Sequence, residues 1–172
     1  MLFGDGAAAL IISSKGPVGA LEIVDVHLAT DGKYVDDLGI RCPGSEFGTT
    51  GEPQDFEPRM VGQSVILQAS RKMVSVCQTV LQRNSLTIDD VSWIVPHQAN
   101  ANLLAQLARG LGVKDTSKVV SVIEYTGNTS SASMGIALDQ LMRSGDLKSG
   151  GFVLMPAFAA GFTWGAGVCR IV

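Results

Sequence analysis

The sequence predicts an α/β fold: a mostly parallel sheet with one antiparallel strand and helices on its faces. Three observations predict it. From residue 60 onward, segments of helical period alternate with short apolar runs, in the order helix, strand, helix, strand, helix, strand, strand. The 172 residues are 46% hydrophobic and 17% charged, with 20 glycines, which suits one heavily buried domain. The last apolar run follows its predecessor after a short Gly-containing loop, so it is the strand expected to run antiparallel.

The elements follow in order. Ala7-Ala-Ala-Leu-Ile-Ile-Ser13, between Gly6 and Lys15-Gly-Pro17, reads as a buried strand. Residues 21–28 alternate and read as a half-buried strand, broken by Thr30-Asp-Gly32 as a turn. Residues 31–58 are rich in Gly, Pro, Asp and Thr, have no period and read as a long functional or packed loop. Residues 60–84 have a helical period, with Ile66, Ala69, Met73, Val76, Cys77 and Val80 on one face. Thr87 and Asp90 form a capping signal, and residues 91–95 are a short, buried strand. Residues 100–111 are helical through Leu103, Leu104, Leu107 and Leu111, with Gly112 as the stop. Residues 119–123 read as a third apolar strand. Residues 129–144 form a helix with Met134, Ala137, Leu138 and Leu141 on one face, ending at Gly145. Residues 152–156 and 165–172 are the closing strands. A weak internal echo links Phe3-Gly-Asp-Gly-Ala-Ala-Ala-Leu10 with Phe162-Thr-Trp-Gly-Ala-Gly-Val-Cys169, as in a protein of two similar halves.

Composition excludes several functions. Net charge is −3 and the longest basic run is Arg71-Lys72, so no nucleic-acid footprint is present. The three cysteines, Cys42, Cys77 and Cys169, lack C-x-x-C spacing, which argues against a disulfide framework and a zinc site and makes a reducing cytoplasm the simplest compartment. No basic-then-apolar leader opens the chain, and no apolar run reaches the ~18 residues of a membrane span. The chain starts abruptly within a strand-like stretch, as a fragment would.

The residues with chemistry lie past two of the strands. Ligands of open parallel sheets bind beyond the carboxyl ends of the strands. His97 follows the strand at 91–95, and Asn128 follows the one at 119–123, one helix-and-strand unit later. Both emerge at one sheet edge, each just before a helix whose N-terminal dipole favours negative charge and a neutral imidazole. An imidazole N–H beside an Asn amide N–H makes a two-donor anion hole. Plain readings stand beside this one. A histidine after a strand is commonly a hydrogen-bonded structural residue, Asn128 after Gly127 suits a turn or a helix cap, and Gln98, Asn100 and Asn102 suit a solvated first turn.

Three stretches, Val95-Pro-His-Gln-Ala-Asn100, Gly127-Asn-Thr-Ser-Ser-Ala-Ser133 and Ala157-Phe-Ala-Ala-Gly-Phe-Thr-Trp-Gly165, resemble the signature stretches of the C-terminal half of beta-ketoacyl-ACP synthase III, of the thiolase-fold superfamily. Phe3-Gly-Asp-Gly-Ala-Ala-Ala9 resembles the F-G-D-G-A-G-A stretch near the end of that family's first half. The resemblance implies one half of a duplicated thiolase-like fold, with residues 1–58 ending the N-terminal half and residues 59–172 forming the C-terminal domain. It implies decarboxylative Claisen condensation of a CoA-derived acyl group with malonyl-ACP, through a Cys–His–Asn triad in which His97 and Asn128 are the second and third members. The two hold the malonyl thioester carbonyl and stabilise the enolate. The implied cysteine lies upstream of Phe3; Cys42, Cys77 and Cys169 do not replace it, so this chain alone is expected to form no acyl-enzyme.

The resemblance gives Gln98, Asn100, Phe158 and Ala160 supporting roles. Ala160 stands in a glycine-rich loop whose backbone N–H serves an oxyanion hole, and alanine has less access to positive φ, which opens the acyl preference to groups other than acetyl. Where family members often carry an arginine that receives the carrier protein, this chain has Asn102, leaving Arg109, Lys114 and Lys118 as candidates. No cofactor and no metal is implied. The implied partners are acyl-CoA, malonyl-ACP, the acyl carrier protein, the complementary half and a second subunit in a homodimer, with no nucleic acid and no membrane. With the complementary half absent, a large apolar patch is expected. Two other readings share the scaffold: an acyltransferase of secondary metabolism, and a noncatalytic thiolase-like interaction domain.

Overall fold

The computed structural model describes residues 3–17, 19–45 and 48–172. The strands are β1 (Leu21–Thr30), β2 (Leu38–Gly39), β3 (Arg59–Met60), β4 (Val91–Ile94), β5 (Phe152–Ala159) and β6 (Thr163–Ile171). The helices are α1 (Gly62–Arg83), α2 (Ala101–Leu111), α3 (Ile123–Thr126) and α4 (Ser133–Ser144). The main sheet has the order β1-β6-β5-β4, and β2 and β3 form a separate two-stranded ribbon. β4 and β5 pair in parallel, and β6 is antiparallel to both β5 and β1. One strand, β6, therefore runs against the other three, as the sequence predicts. β1, from the stretch before residue 58, is paired with β6 from Leu21 to Thr30, with a bulge between Ile23 and Asp25.

Both faces of the sheet carry helices, and each helix is placed by its own apolar stripe. α1 buries Ala69, Met73, Val76, Cys77, Val80 and Leu81, and α2 buries Leu103, Leu104, Leu107, Ala108 and Leu111. These pack on Ile94, Leu154, Phe158 and Val168 of one sheet face. α4 covers the opposite face, where Ala137, Leu138 and Leu141 meet Val95, Val153 and Ile171. Gly112 and Gly145 end α2 and α4 in the left-handed region, at φ 72° and 77°, which glycine adopts without penalty. The Thr87/Asp90 signal is a real cap: Thr87 N–H and its hydroxyl both donate to Asp90 Oδ2 at 2.7 Å.

Three expectations need correction. The apolar stretch at 7–13 is not a strand. No ladder pairs it among the described residues, and Leu10, Ile11 and Ile12 are 64%, 97% and 80% exposed. Residues 119–123 are not a strand either. Val119 makes a single parallel bridge to Ile94, with Val120 N–H donating to the Ile94 carbonyl, and α3 begins at Ile123. The reason is local: the Gln98 carboxamide takes the Val120 carbonyl and the Val122 N–H, groups that a further ladder would need. Ile66, placed on the buried face of α1, is 44% exposed because the first turns of the helix run beyond the sheet-packed part of the stripe.

α4 covers only part of its face. The remainder, across β5, β6 and β1, is an open apolar groove of about 260 Å³ lined by Val26, Leu28, Met155, Ala157 and Trp164 among others. The large apolar patch expected from the sequence is therefore present, with Leu28 at 70% exposed. Among the described residues no helix is long and apolar enough to cross a membrane.

Leu107 is fully buried at the centre of the α1–α2–sheet cluster. Leu107→Ala is expected to lower unfolding stability by about 2–5 kcal/mol. Urea denaturation checks this, with an unchanged slope and a lower midpoint as the expected outcome.

Candidate active site

The site begins where β4 ends. Val95 N–H donates to the Leu154 carbonyl at 2.8 Å and His97 N–H to the Pro156 carbonyl at 2.9 Å, so the pairing with β5 continues past the strand and fixes the His97 backbone. The His97 side chain is partly buried. Burial depresses its pKa below the ordinary value of 6.5, because desolvation penalises the imidazolium. Its Nδ1 lies 2.8 Å from the Ser133 hydroxyl.

Gln98 is wholly buried and is part of the framework rather than a substrate contact. Its Nε2 donates to the carbonyls of Pro96 (2.8 Å) and Val120 (3.1 Å), and its Oε1 accepts the Val122 N–H at 3.0 Å. Both amide protons are used. This one side chain joins the end of β4 to the segment that leads to Asn128.

Asn128 is half-buried in the connection between α3 and α4. Its Oδ1 accepts the Ser130 N–H at 2.9 Å, which turns the carboxamide so that Nδ2 is left without a partner among the described residues. Its carbonyl accepts the Gly4 N–H at 2.9 Å, and Phe3 bridges Asn128 in parallel. Gly4 is required there: a Cβ would overlap the Thr126 carbonyl oxygen. Ser130 has φ 53°, an uncommon conformation for a residue other than glycine, and the Asn128 turn holds it.

His97 and Asn128 make no direct hydrogen bond. Ser133, the first residue of α4 and five residues after Asn128, reaches His97. Ser133 Oγ also accepts the Gln98 N–H at 3.2 Å, and the residue is wholly buried. Sequence reasoning did not single out Ser133. The signal was a small polar residue on the helix face otherwise formed by Ala137, Leu138 and Leu141.

The other predicted residues take different places. Asn100 caps α2, its Oδ1 accepting the Leu103 N–H at 2.8 Å. Phe158 is 7% exposed, with its ring 4.8 Å from that of Phe162, which stacks on Tyr34 at 4.9 Å. Ala160 is exposed in the turn between β5 and β6, where the positive φ belongs to Gly161 (129°), so the turn places no such demand on Ala160. The three basic residues are not brought to His97. Arg109 is in the last turn of α2, Lys114 pairs with Asp89 at 3.4 Å, and Lys118 donates to the Val91 carbonyl at 3.0 Å. Val91 opens β4, six residues before His97, which is roughly 20 Å of extended chain. That bond ties the Lys118 ammonium to the start of β4.

All three cysteines are buried. Burial pushes the Cys77 thiol up to about 12 and raises that of Cys169 as well. Among the described residues no group of three His, Cys, Asp or Glu side chains could hold a metal ion.

The chain is similar to known proteins in sequence and in fold. Residues 81–171, more than half of the chain, match the family described as 3-Oxoacyl-[acyl-carrier-protein (ACP)] synthase III C terminal. Beta-ketoacyl-[acyl-carrier-protein] synthase III of Chlamydia trachomatis serovar D is 40% identical over 177 aligned positions, covering 100% of this chain and 53% of that protein. The crystal structure of 3-oxoacyl-[acyl-carrier-protein] synthase III from Aquifex aeolicus superposes with a TM-score of 0.76 at 31% identity, over 87% of this chain and 44% of that one. The priming beta-ketosynthase of the R1128 polyketide pathway superposes with a TM-score of 0.78 at 33% identity, over 91% of this chain and 47% of that one. The chain thus spans about half the length of the curated relatives it matches, has the thiolase-like α/β fold of these synthases, and belongs to the 3-oxoacyl-[acyl-carrier-protein] synthase III family.

Proposed function

We propose that this chain supplies the His–Asn half of a synthase III active site, for decarboxylative condensation of a CoA-derived acyl group with malonyl-ACP. The observation that carries the reading is how hydrogen bonds hold two side chains. Asn128 has a free Nδ2 amide oriented by the Ser130 N–H, and His97 is held by Pro156 and Ser133 with its charged form disfavoured. Loss of CO₂ from a malonyl thioester moves an electron pair onto the thioester carbonyl, and two fixed N–H groups at that oxygen stabilise the enolate more than the ground state. Gln98 and Asn100 serve as framework and cap. Phe158 supports the β5–β6 turn, and the Ala160 N–H is offered to the acyl carbonyl.

The nucleophile comes from polypeptide outside these residues. Burial of all three thiols supports this, and the raised pKa values of Cys77 and Cys169 further suppress thiolate attack there. The open groove beside α4 is where the complementary half of the synthase packs, and the homodimer, the carrier protein and the cytoplasmic location belong to that complete protein. The match to a polyketide priming synthase keeps a role in secondary metabolism as the second reading.

Incubation of this chain with acetyl-CoA is expected to leave Cys42, Cys77 and Cys169 unacylated by intact-protein mass spectrometry; a stoichiometric thioester on any of them overturns the assignment. In a chain extended to the full length of its relatives, His97→Ala is expected to lower malonyl-ACP decarboxylation on the order of 10²–10³-fold. Unchanged decarboxylation would leave the noncatalytic reading, and malonyl-CoA used as well as malonyl-ACP would favour the secondary-metabolic one. The buried neutral imidazole also has a stability signature. The unfolded chain binds a proton at His97 below its ordinary value of 6.5 while the folded chain resists it, so stability is fully present above that value and falls with acidification towards the depressed folded pKa. Denaturation at about pH 7.5 and about pH 5.5 is expected to show a smaller acid loss in His97→Gln than in the parent chain.

A further inference from the structure

We propose that Ser133 is a positioning residue for His97, its hydroxyl donating to Nδ1 and so fixing the imidazole as the Nε2–H tautomer. The inference comes from counting protons around one buried oxygen. Ser133 Oγ has two partners among the described residues, the Gln98 backbone nitrogen at 3.2 Å and His97 Nδ1 at 2.8 Å. The Gln98 N–H can only donate, so it occupies one lone pair of the hydroxyl oxygen. The hydroxyl proton then needs an acceptor, and Nδ1 is the atom in reach that can accept it. Were Nδ1 protonated, two N–H groups would point at Oγ, and the hydroxyl proton of a wholly buried side chain would have no acceptor.

The surroundings fix the direction of this bond. The Gln98 N–H is held at Oγ because the Gln98 side chain is tied at three points, and the His97 backbone is tied to Pro156. Ser133 is the first residue of α4, so the hydroxyl moves with the helix that follows the Asn128 connection. One bond thus sets the His97 ring against the Asn128 turn and puts the ring proton on Nε2, the nitrogen that Ser133 does not use.

The proposal deepens the reading of His97 as a hydrogen-bond donor, and rests on it for its catalytic consequence. Its test reads the ring itself. The chain is labelled with ¹⁵N-histidine, and His27→Gln removes the signals of the other histidine. At neutral pH the His97 spectrum is expected to show a pyridine-type Nδ1 and a pyrrole-type Nε2. Ser133→Ala, checked for folding by its amide dispersion, is expected to lose that single form and show a mixture with the Nδ1–H tautomer, and Ser133→Thr is expected to restore it. A parent chain with His97 as the Nδ1–H tautomer overturns the proposal, whether or not the variants fold. So does a folded Ser133→Ala chain in which the Nε2–H form is undiminished. In a chain extended to the length of its relatives, Ser133→Ala is expected to lower malonyl-ACP decarboxylation roughly 10- to 100-fold, less than His97→Ala. A locked Nε2–H ring without decarboxylation removes the functional reading and keeps the positioning role; decarboxylation that needs His97 but is carried out with an Nδ1–H ring does the reverse.

Discussion

The candidate site depends on the buried carboxamide of Gln98. This side chain has no exposure and three hydrogen bonds, to Pro96, Val120 and Val122. An unpaired buried amide is costly, so each of these partners is held to its place as firmly as Gln98 is. The consequence is geometric. Pro96 and Gln98 flank His97, and Val120 and Val122 begin the stretch that runs through α3 to Asn128. A single amide therefore sets the spacing between two loops that no ladder joins beyond the bridge from Ile94 to Val119.

The same bonds explain why the 119–123 stretch stops being a strand. Its composition is that of a buried strand, and periodicity alone cannot distinguish a run that pairs from one whose groups are taken by a side chain. The elements that were legible owe it to repetition. α1, α2 and α4 show their stripes at helical spacing, the glycine stops of α2 and α4 are real, and β6 runs against its neighbours as expected. His97 does follow a strand end, whereas Asn128, expected after a strand at 119–123, follows α3. What was not legible depends on distant partners. Ser133 has meaning only once His97 and Gln98 reach it, and the bond from Lys118 to the Val91 carbonyl is equally invisible in the sequence. The 7–13 stretch has the composition of a strand, but composition does not supply the neighbour that a ladder needs.

The exposure pattern has the same logic. α1 and α2 cover one face of the sheet, whereas α4 leaves the β5–β6–β1 part of the other face open as an apolar groove. Val26 and Leu28 sit at 49% and 70% exposure on a strand whose pairing to β6 is unbroken at those positions. Backbone order there is complete while side-chain burial is not. An exposed apolar face of this kind is characteristic of an interaction surface.

Donor placement and nucleophile placement are thus separate problems in this chain, solved to different degrees. The donors are fixed by bonds internal to it: Pro156 and Ser133 for His97, Ser130 and Gly4 for Asn128. Those bonds all lie within this chain. The thiols go the other way. Cys77 and Cys169 are held in apolar packing that disfavours the thiolate, so their burial serves the core at the expense of reactivity. Within one fold, burial withdraws the thiols from solvent while local hydrogen bonds hold the His97 and Asn128 side chains in place.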